Sequence, residues 1–401
     1  MDVAMRSVLK RFERATEPSA CGIVDWLARE LPESWLAAVH AGERVPESVR
    51  QSVNAEVFLH RLGEAGFIVP DWPTEYGGLN ATADEAQAVL EMLRRFQVPR
   101  PDDFVGVSLA GPTLLEWGTD DQRNRFLPAI ARRTERWCQL FSEPGAGSDL
   151  ASLTTRARLE DNVWLVSGQK VWTSLADIAD LGILLARTES DQPKHLGITY
   201  FAVDMKAAGV EVRPLRQISG ESHFCEVFLN DVRIHDDRRI GPRGRGWEVA
   251  MTTLTNERAG LSTVPEVHHV TIDQLLAAAK IHGAWDRPVE RDRLLHLLQR
   301  DRVLNLAKKR AEALRKTGSH GLDGSVLKLA QSILSRDIAF AALDVLGEPS
   351  IAWSATGPDD LEAVRLAFLY APAHTIAGGT SEIQRNIIAE RVLGLPREPR
   401  S

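Results

Sequence analysis

From about Ile23 to Arg133 apolar side chains recur at three- and four-residue spacing, the stripe an amphipathic helix buries, with Pro and Gly turns between runs. This predicts a mostly helical domain over residues 1–135. One irregular stretch, Gly66-Phe67-Ile68-Val69-Pro70-Asp71-Trp72-Pro73-Thr74-Glu75-Tyr76-Gly77-Gly78, reads as a packing loop fixed by prolines and closing glycines. Near Trp137 the period changes. Short β-branched and aromatic runs at Trp137 to Phe141, Val163 to Val166, Val171 to Thr173, Gly182 to Ala186, Ile198 to Val203 and Cys225 to Leu229 are parted by turn signals such as Ser167-Gly168. Strands without helices between them predict an antiparallel sheet or small barrel over 136–240 and argue against a Rossmann fold. Gly241-Pro242-Arg243-Gly244-Arg245-Gly246 reads as a hinge, after which helical spacing returns. Trp247, Ala250, Met251, Leu254 and Leu261 form one stripe, and Val289 to Arg315, Val326 to Leu346 and Leu361 to Tyr370 predict further helices. The economical reading of 241–401 is a four-helix bundle, and the fold class is α+β.

Composition bounds the function. The chain has 401 residues, 44% hydrophobic and 26% charged, too long for one simple core and typical of a globular protein. A net charge of -7 leaves no electrostatic footprint for nucleic acid, and Arg94-Arg95 and Lys308-Lys309-Arg310 read as solvated helix faces. Cys21, Cys138 and Cys225 form no CxxC pair, which predicts a reduced compartment and neither a disulfide framework nor a zinc site. A charged N-terminus and the lack of any long apolar run predict a cytoplasmic protein with no membrane segment. No GxGxxG, Walker lysine, GxSxG or HExxH motif occurs.

Three stretches carry chemistry. Ala377-Gly378-Gly379-Thr380-Ser381-Glu382-Ile383-Gln384-Arg385 sets two glycines before a helix start that Thr380 or Ser381 can cap, a seat for a phosphate or simply a capped helix. Gln139 to Leu150, containing Ser142-Glu143-Pro144-Gly145-Ala146-Gly147-Ser148-Asp149, offers backbone N–H groups and hydroxyls after a strand. Ser167-Gly168-Gln169-Lys170-Val171-Trp172-Thr173-Ser174 presents an indole flanked by hydroxyls.

With the Pro70 to Gly78 loop, the tail Arg391-Val392-Leu393-Gly394-Leu395-Pro396 and the helix, sheet, helix order, these stretches resemble the acyl-CoA dehydrogenase family from Gly66 onward. The resemblance implies an FAD flavoprotein with a helical N-terminal domain, a central β-domain and a C-terminal four-helix bundle. It implies that Gln139, Leu140, Ser142, Gly147 and Ser148 hold the isoalloxazine, that Trp172, Thr173 and Ser174 cover it, and that Gly379, Thr380, Glu382 and Gln384 approach from the bundle. Ser148 and Arg258 are the implied substrate contacts. The family reaction takes the α-proton of an acyl thioester, on CoA or a carrier protein, and passes electrons to an electron-transfer flavoprotein.

Two departures matter. The family's usual base is a Glu at the position held here by Gly378. A second family location lies on the first bundle helix, as in isovaleryl-CoA dehydrogenase, and here Leu254-Thr255-Asn256-Glu257-Arg258 matches it. At about 100° per residue Glu257 lies at the flank of the apolar stripe, so a partly desolvated carboxylate and an α-proton base are expected there. The Arg-x-x-Phe-Gly segment with which many members reach a neighbouring subunit's FAD is absent from Ala277 to Arg287. A homo-oligomer or a heteromer with a related chain is implied. The competing readings are a flavin monooxygenase or oxidase on the same fold, and a non-catalytic partner subunit.

Overall fold

The computed structural model describes residues 22–98, 104–261, 268–316, 323–351 and 359–397, so Cys21 lies outside the described residues. The chain divides into two compact units: Met1–Ala146, Leu150–Arg213 and Phe224–Thr253 in the first; Gly147–Asp149, Pro214–His223 and Leu254–Ser401 in the second.

The first unit opens with helices α1 (Ile23–Glu30), α2 (Glu33–Ala41), α3 (Glu47–Gln51), α4 (Ala55–Glu64), α5 (Ala83–Arg95), α6 (Gly111–Trp117) and α7 (Asp120–Ala131). Thr82 with Glu85 starts α5 and Thr119 with Gln122 starts α7, each as a reciprocal capping box that satisfies orphan N–H groups. The 66–78 loop packs as expected. Trp72 is buried, and a Cβ added at Gly111 would lie 2.2 Å from its ring, so the helix leaves room for the indole by having no side chain there.

The strands are β1 (Trp137–Leu140), β2 (Arg156–Glu160), β3 (Val163–Ser174), β4 (Leu181–Arg187), β5 (Ile198–Asp204), β6 (Val210–Leu215), β7 (Phe224–His235) and β8 (Arg239–Ile240). They form one sheet in the order β6-β7-β3-β2-β4-β5-β8, with β1 beside β4. Most pairs are antiparallel, but β1 runs parallel to β4, and β2 meets β4 in parallel at Arg156 and Arg187. The two short runs expected at Val163 and Val171 are one strand. Ser167-Gly168, which reads as a turn, is a register shift inside it, where a Cβ at Gly168 would meet Thr155 at 2.3 Å. Strands β2 and β6 escaped the sequence pattern because most of their positions lie outside the core and carry Arg and Glu. Trp164, Phe201, Leu184 and Val227 centre the sheet's core.

The Gly241 to Gly246 run, expected as a hinge, is hydrogen-bonded to β5 and to the residue before it. Gly244 N–H donates to Thr199 Oγ1 at 3.0 Å, and Gly197 N–H donates to the Gly244 carbonyl at 3.0 Å. A Cβ at Gly246 would sit 2.6 Å from the Thr199 carbonyl carbon, so close backbone approach, and no need for motion, explains that glycine.

The C-terminal helices are α8 (Gly246–Leu261), α9 (Ile272–Ile281), α10 (Pro288–Lys316), α11 (Asp323–Leu346), α12 (Glu348–Ile351), α13 (Asp359–His374) and α14 (Ser381–Ile387). Among the described residues of the second unit, Leu275, Leu294, Leu334 and Ala367 represent the four helices α9, α10, α11 and α13 that share a core. Helix α9, which the sequence pattern does not single out, is one of them. Its Thr271 and Gln274 form another capping box.

Candidate active site

In the first unit, the end of β1 and the second half of β3 are tied by one buried ion pair. Lys170 Nζ, with its side chain wholly buried, donates to Glu143 Oε1 at 2.9 Å and to the Phe141 carbonyl at 3.0 Å. Glu143 also accepts from Thr154 N and Oγ1, both at 2.7 Å, and from Thr155 N at 2.9 Å. Burial by itself pushes the Glu143 carboxyl up, but the Lys170 charge and the hydrogen bonds from Thr155, Thr154 and Lys170 outweigh it and hold the acid at about 2. Complete burial pulls Lys170 down to about 8 against the opposing Glu143 charge, so the pair stays ionised at neutral pH. Neither residue had a role in the sequence reading; the signal available was their place inside the two matched motifs.

This clamp sets the neighbouring expected residues. Val171 N–H donates to the Ser142 carbonyl at 2.9 Å, joining the two stretches directly. A second register shift between Lys170 and Thr173 turns Trp172 out of the sheet. Trp172 holds φ +60°, a conformation bulky residues avoid, and its side chain is 62% exposed with its ring edge-on to Phe224 at 6.1 Å. Thr173 beside it is buried, and its Oγ1 makes no hydrogen bond. Ser174 is exposed and Gln139 half-buried. Leu140 lies with its side chain in the sheet core, so only its backbone is available to a ligand.

In the second unit, the 377–385 stretch is a tightly held turn. Gly378 and Gly379 take φ +66° and +96°. A Cβ on Gly379 would lie 2.6 Å from Gln384 Nε2, which donates to the Gly378 carbonyl at 2.9 Å. Thr380 is the cap of α14, accepting from Ile383 N–H at 3.3 Å, while Ser381 N–H donates to the Thr375 carbonyl. Gln384 is buried with its Oε1 lacking a partner, and Glu382 is exposed. Lys328, on α11, donates to the Gly379 carbonyl at 2.7 Å. Burial lowers its pKa while the charges of Glu257 and Glu382 raise it, so the Glu257 carboxylate and the glycine turn share one cation. Glu257 is half-buried on α8; the Arg258 side chain lies outside the described residues. Gly147 and Ser148 are exposed, and a Cβ at Gly147 would meet nothing within 4 Å, leaving its backbone open to a ligand. Lys328 was missed from sequence because a lysine in an amphipathic helix has no distinguishing spacing.

The chain matches the N-terminal domain model of acyl-CoA dehydrogenases over residues 26–134, the middle domain over 138–232 and the C-terminal domain over 244–393. It is 42% identical over 344 residues to acyl-CoA dehydrogenase IpdE1 of Mycobacterium tuberculosis, covering 84% of this chain and 87% of that one. This chain belongs to the acyl-CoA dehydrogenase family. It is thus an oxidoreductase acting on CH–CH groups, and the family's cofactor is FAD. It is also 41% identical to acyl-CoA dehydrogenase FadE34 of the same organism, over 90% of this chain and 48% of that protein, so it spans about half of that relative. The solved Tcur3481-Tcur3483 steroid ACAD aligns with TM-score 0.76 and 25% identity over 96% of this chain and 99% of its own. The ChsE4-ChsE5 complex from Mycobacterium tuberculosis aligns with TM-score 0.72 and 24% identity over 99% of each chain, a likeness of fold. The residues suit FAD: the buried Thr173 Oγ1 and Gln384 Oε1 are hydrogen-bonding atoms without partners, as groups reserved for a polar cofactor would be. No helix among the described residues is long and apolar enough to cross a membrane.

Proposed function

We propose that this chain is the catalytic subunit of an acyl-CoA dehydrogenase in which Glu257 removes the α-proton of a bulky, ring-bearing acyl thioester. The observation that supports this most is Lys328. It holds the Gly379 carbonyl at 2.7 Å while sensing the Glu257 charge, which links the relocated base electrostatically to the turn that carries the base in most relatives. FAD, when bound, takes up the β-hydrogen as hydride. In the first unit Ser142 and Thr173 would hold FAD and Trp172 would keep water from it; in the second unit Gln384 would offer its amide to the cofactor, and Arg258 and Ser148 would engage the thioester side of the substrate. The Glu257 charge acts on Lys328, which makes that ammonium the cation facing the proposed base.

The ring-bearing class is supported by the name of the steroid ACAD, whose fold this chain shares at 25% identity. CoA is the favoured carrier. Assembly with a related chain is supported by the missing Arg-x-x-Phe-Gly segment and by two structural neighbours, Tcur3481-Tcur3483 and ChsE4-ChsE5, whose names pair two chains. Electrons pass to an electron-transfer flavoprotein in the cytoplasm.

The test is anaerobic mixing of FAD-loaded enzyme with short, branched, long and sterol acyl-CoAs, followed by flavin bleaching. Bleaching by the sterol thioesters is expected. Glu257→Gln should keep FAD and lose bleaching by about 10²- to 10⁴-fold. Near-normal reduction in that variant would sink the base assignment, and reoxidation by oxygen faster than by an electron-transfer flavoprotein would favour an oxidase.

A further inference from the structure

Away from the glycine turn, the second unit gathers three metal-ligating side chains that the proposed reaction does not use. Glu221 and His223 stand at the end of the Pro214–His223 segment, and His268 precedes α9. One ligand atom from each lies within 4.8 Å of the other two. His268 Nε2 is 2.8 Å from Glu221 Oε2, and His223 Nε2 is 3.3 Å from Glu221 Oε1. These separations bracket the roughly 3.3 Å between neighbouring ligands of a tetrahedral ion bound at about 2.0–2.1 Å.

Two readings of such a trio differ in where the ring nitrogens aim. In an ion pair, each imidazolium N–H points at a carboxylate oxygen. Here both Nε2 atoms and Glu221 Oε2 are shut off from solvent, and the polar contacts recorded for them are the two short imidazole–carboxylate approaches. Two imidazole nitrogens converging on one carboxylate away from solvent are a donor set that a divalent ion satisfies, with less charge repulsion than two imidazolium ions side by side. The backbone that carries Glu221 is also held in place: Gln217 N–H donates to the Glu221 main-chain carbonyl at 2.8 Å, and Gly220 closes the turn at φ +91°. Tyr370 packs its ring on His268 at 5.7 Å and on His374 at 5.1 Å, fixing the imidazole plane.

We propose that Glu221, His223 and His268 bind one zinc ion, with a fourth position left to water. Two imidazoles and a carboxylate are a zinc donor set, and nitrogen ligands disfavour magnesium and calcium. The ion ties the 214–223 segment to the start of α9, so binding adds to stability by mass action. This goes beyond the dehydrogenase reading and does not depend on it.

The experiment uses the FAD-loaded full chain, stripped with EDTA, exchanged into chelator-free buffer and titrated with zinc chloride by calorimetry, with magnesium chloride as control. One zinc per chain at micromolar affinity or tighter, and a higher melting temperature, are expected. Cobalt(II) should give the visible absorption of a four-coordinate N/O site. His223→Gln and His268→Gln should each weaken zinc binding by about 100-fold or more while flavin absorbance stays unchanged. No stoichiometric binding by the wild-type chain overturns the proposal, whether or not the variants fold. Binding that survives in folded variants marks an adventitious ion only and overturns it too.

Discussion

Lys170 shows how one side chain can organise a site without touching the reaction. It is wholly buried, and its ammonium joins Phe141 and Glu143 to the strand that carries Trp172 and Thr173. Removing one partner of a buried pair leaves the other charge uncompensated, so Lys170→Met should destabilise the protein by about 3–5 kcal/mol in urea titrations. The pH dependence follows from Glu143. Its folded pKa lies at about 2, below the ordinary 4.5, so its stabilisation is present above 4.5 and disappears as pH falls toward 2, a loss of about 3 kcal/mol. In Lys170→Met the carboxyl loses the charge that lowers it most, so its folded pKa moves up from about 2 and less stability at that group is lost in acid. The stability gap between wild type and variant should therefore narrow as pH drops; a constant gap down to the acid limit would mean that the pair is not ionised. Lys170, Glu143 and Lys328 all stand in plain view in the sequence, yet their roles were not legible there. A charge acquires a partner only when strands and helices distant in sequence meet.

At the scale of elements, the legible parts were those whose side chains alternate or repeat with burial. Strands β4 and β5, buried along almost their whole length, were found close to their true ends. Strand β3 was cut in two because Ser167-Gly168 carries turn chemistry, and only pairing with β7 reveals a continuous strand. Glycines divide in the same way. Gly111 is helical and looks replaceable, but Trp72 fills the place of its Cβ. Gly111→Ala should cost roughly 1–3 kcal/mol by overpacking, whereas Gly145→Ala, with nothing within 4 Å of the added carbon, should stay within about 0.5 kcal/mol of wild type. Thermal melts of both variants decide this, and equal melting temperatures would refute the close contact.

At the scale of the whole molecule, the second unit carries exposed apolar side chains: Ile281 and Val289 are each 80% exposed and Leu306 65%. With the Arg-x-x-Phe-Gly segment lacking, the proposed assembly with a related chain makes a prediction at this scale. Produced alone, the chain should carry less than one FAD per subunit. Produced with that partner it should be saturated, as read by flavin absorbance and by mass from light scattering; a fully flavinated homo-oligomer would exclude the heteromer. The sequence by itself determined the family and the order of helical and β segments, because motifs and periodicity are local properties of a chain. Tertiary structure alone decided that Lys170 clamps the two β-domain motifs, that Lys328 links Glu257 to the glycine turn, and that Glu221, His223 and His268 converge. Each depends on burial and on distances between residues far apart in sequence, and the electrostatics that give these groups their roles exist only after folding.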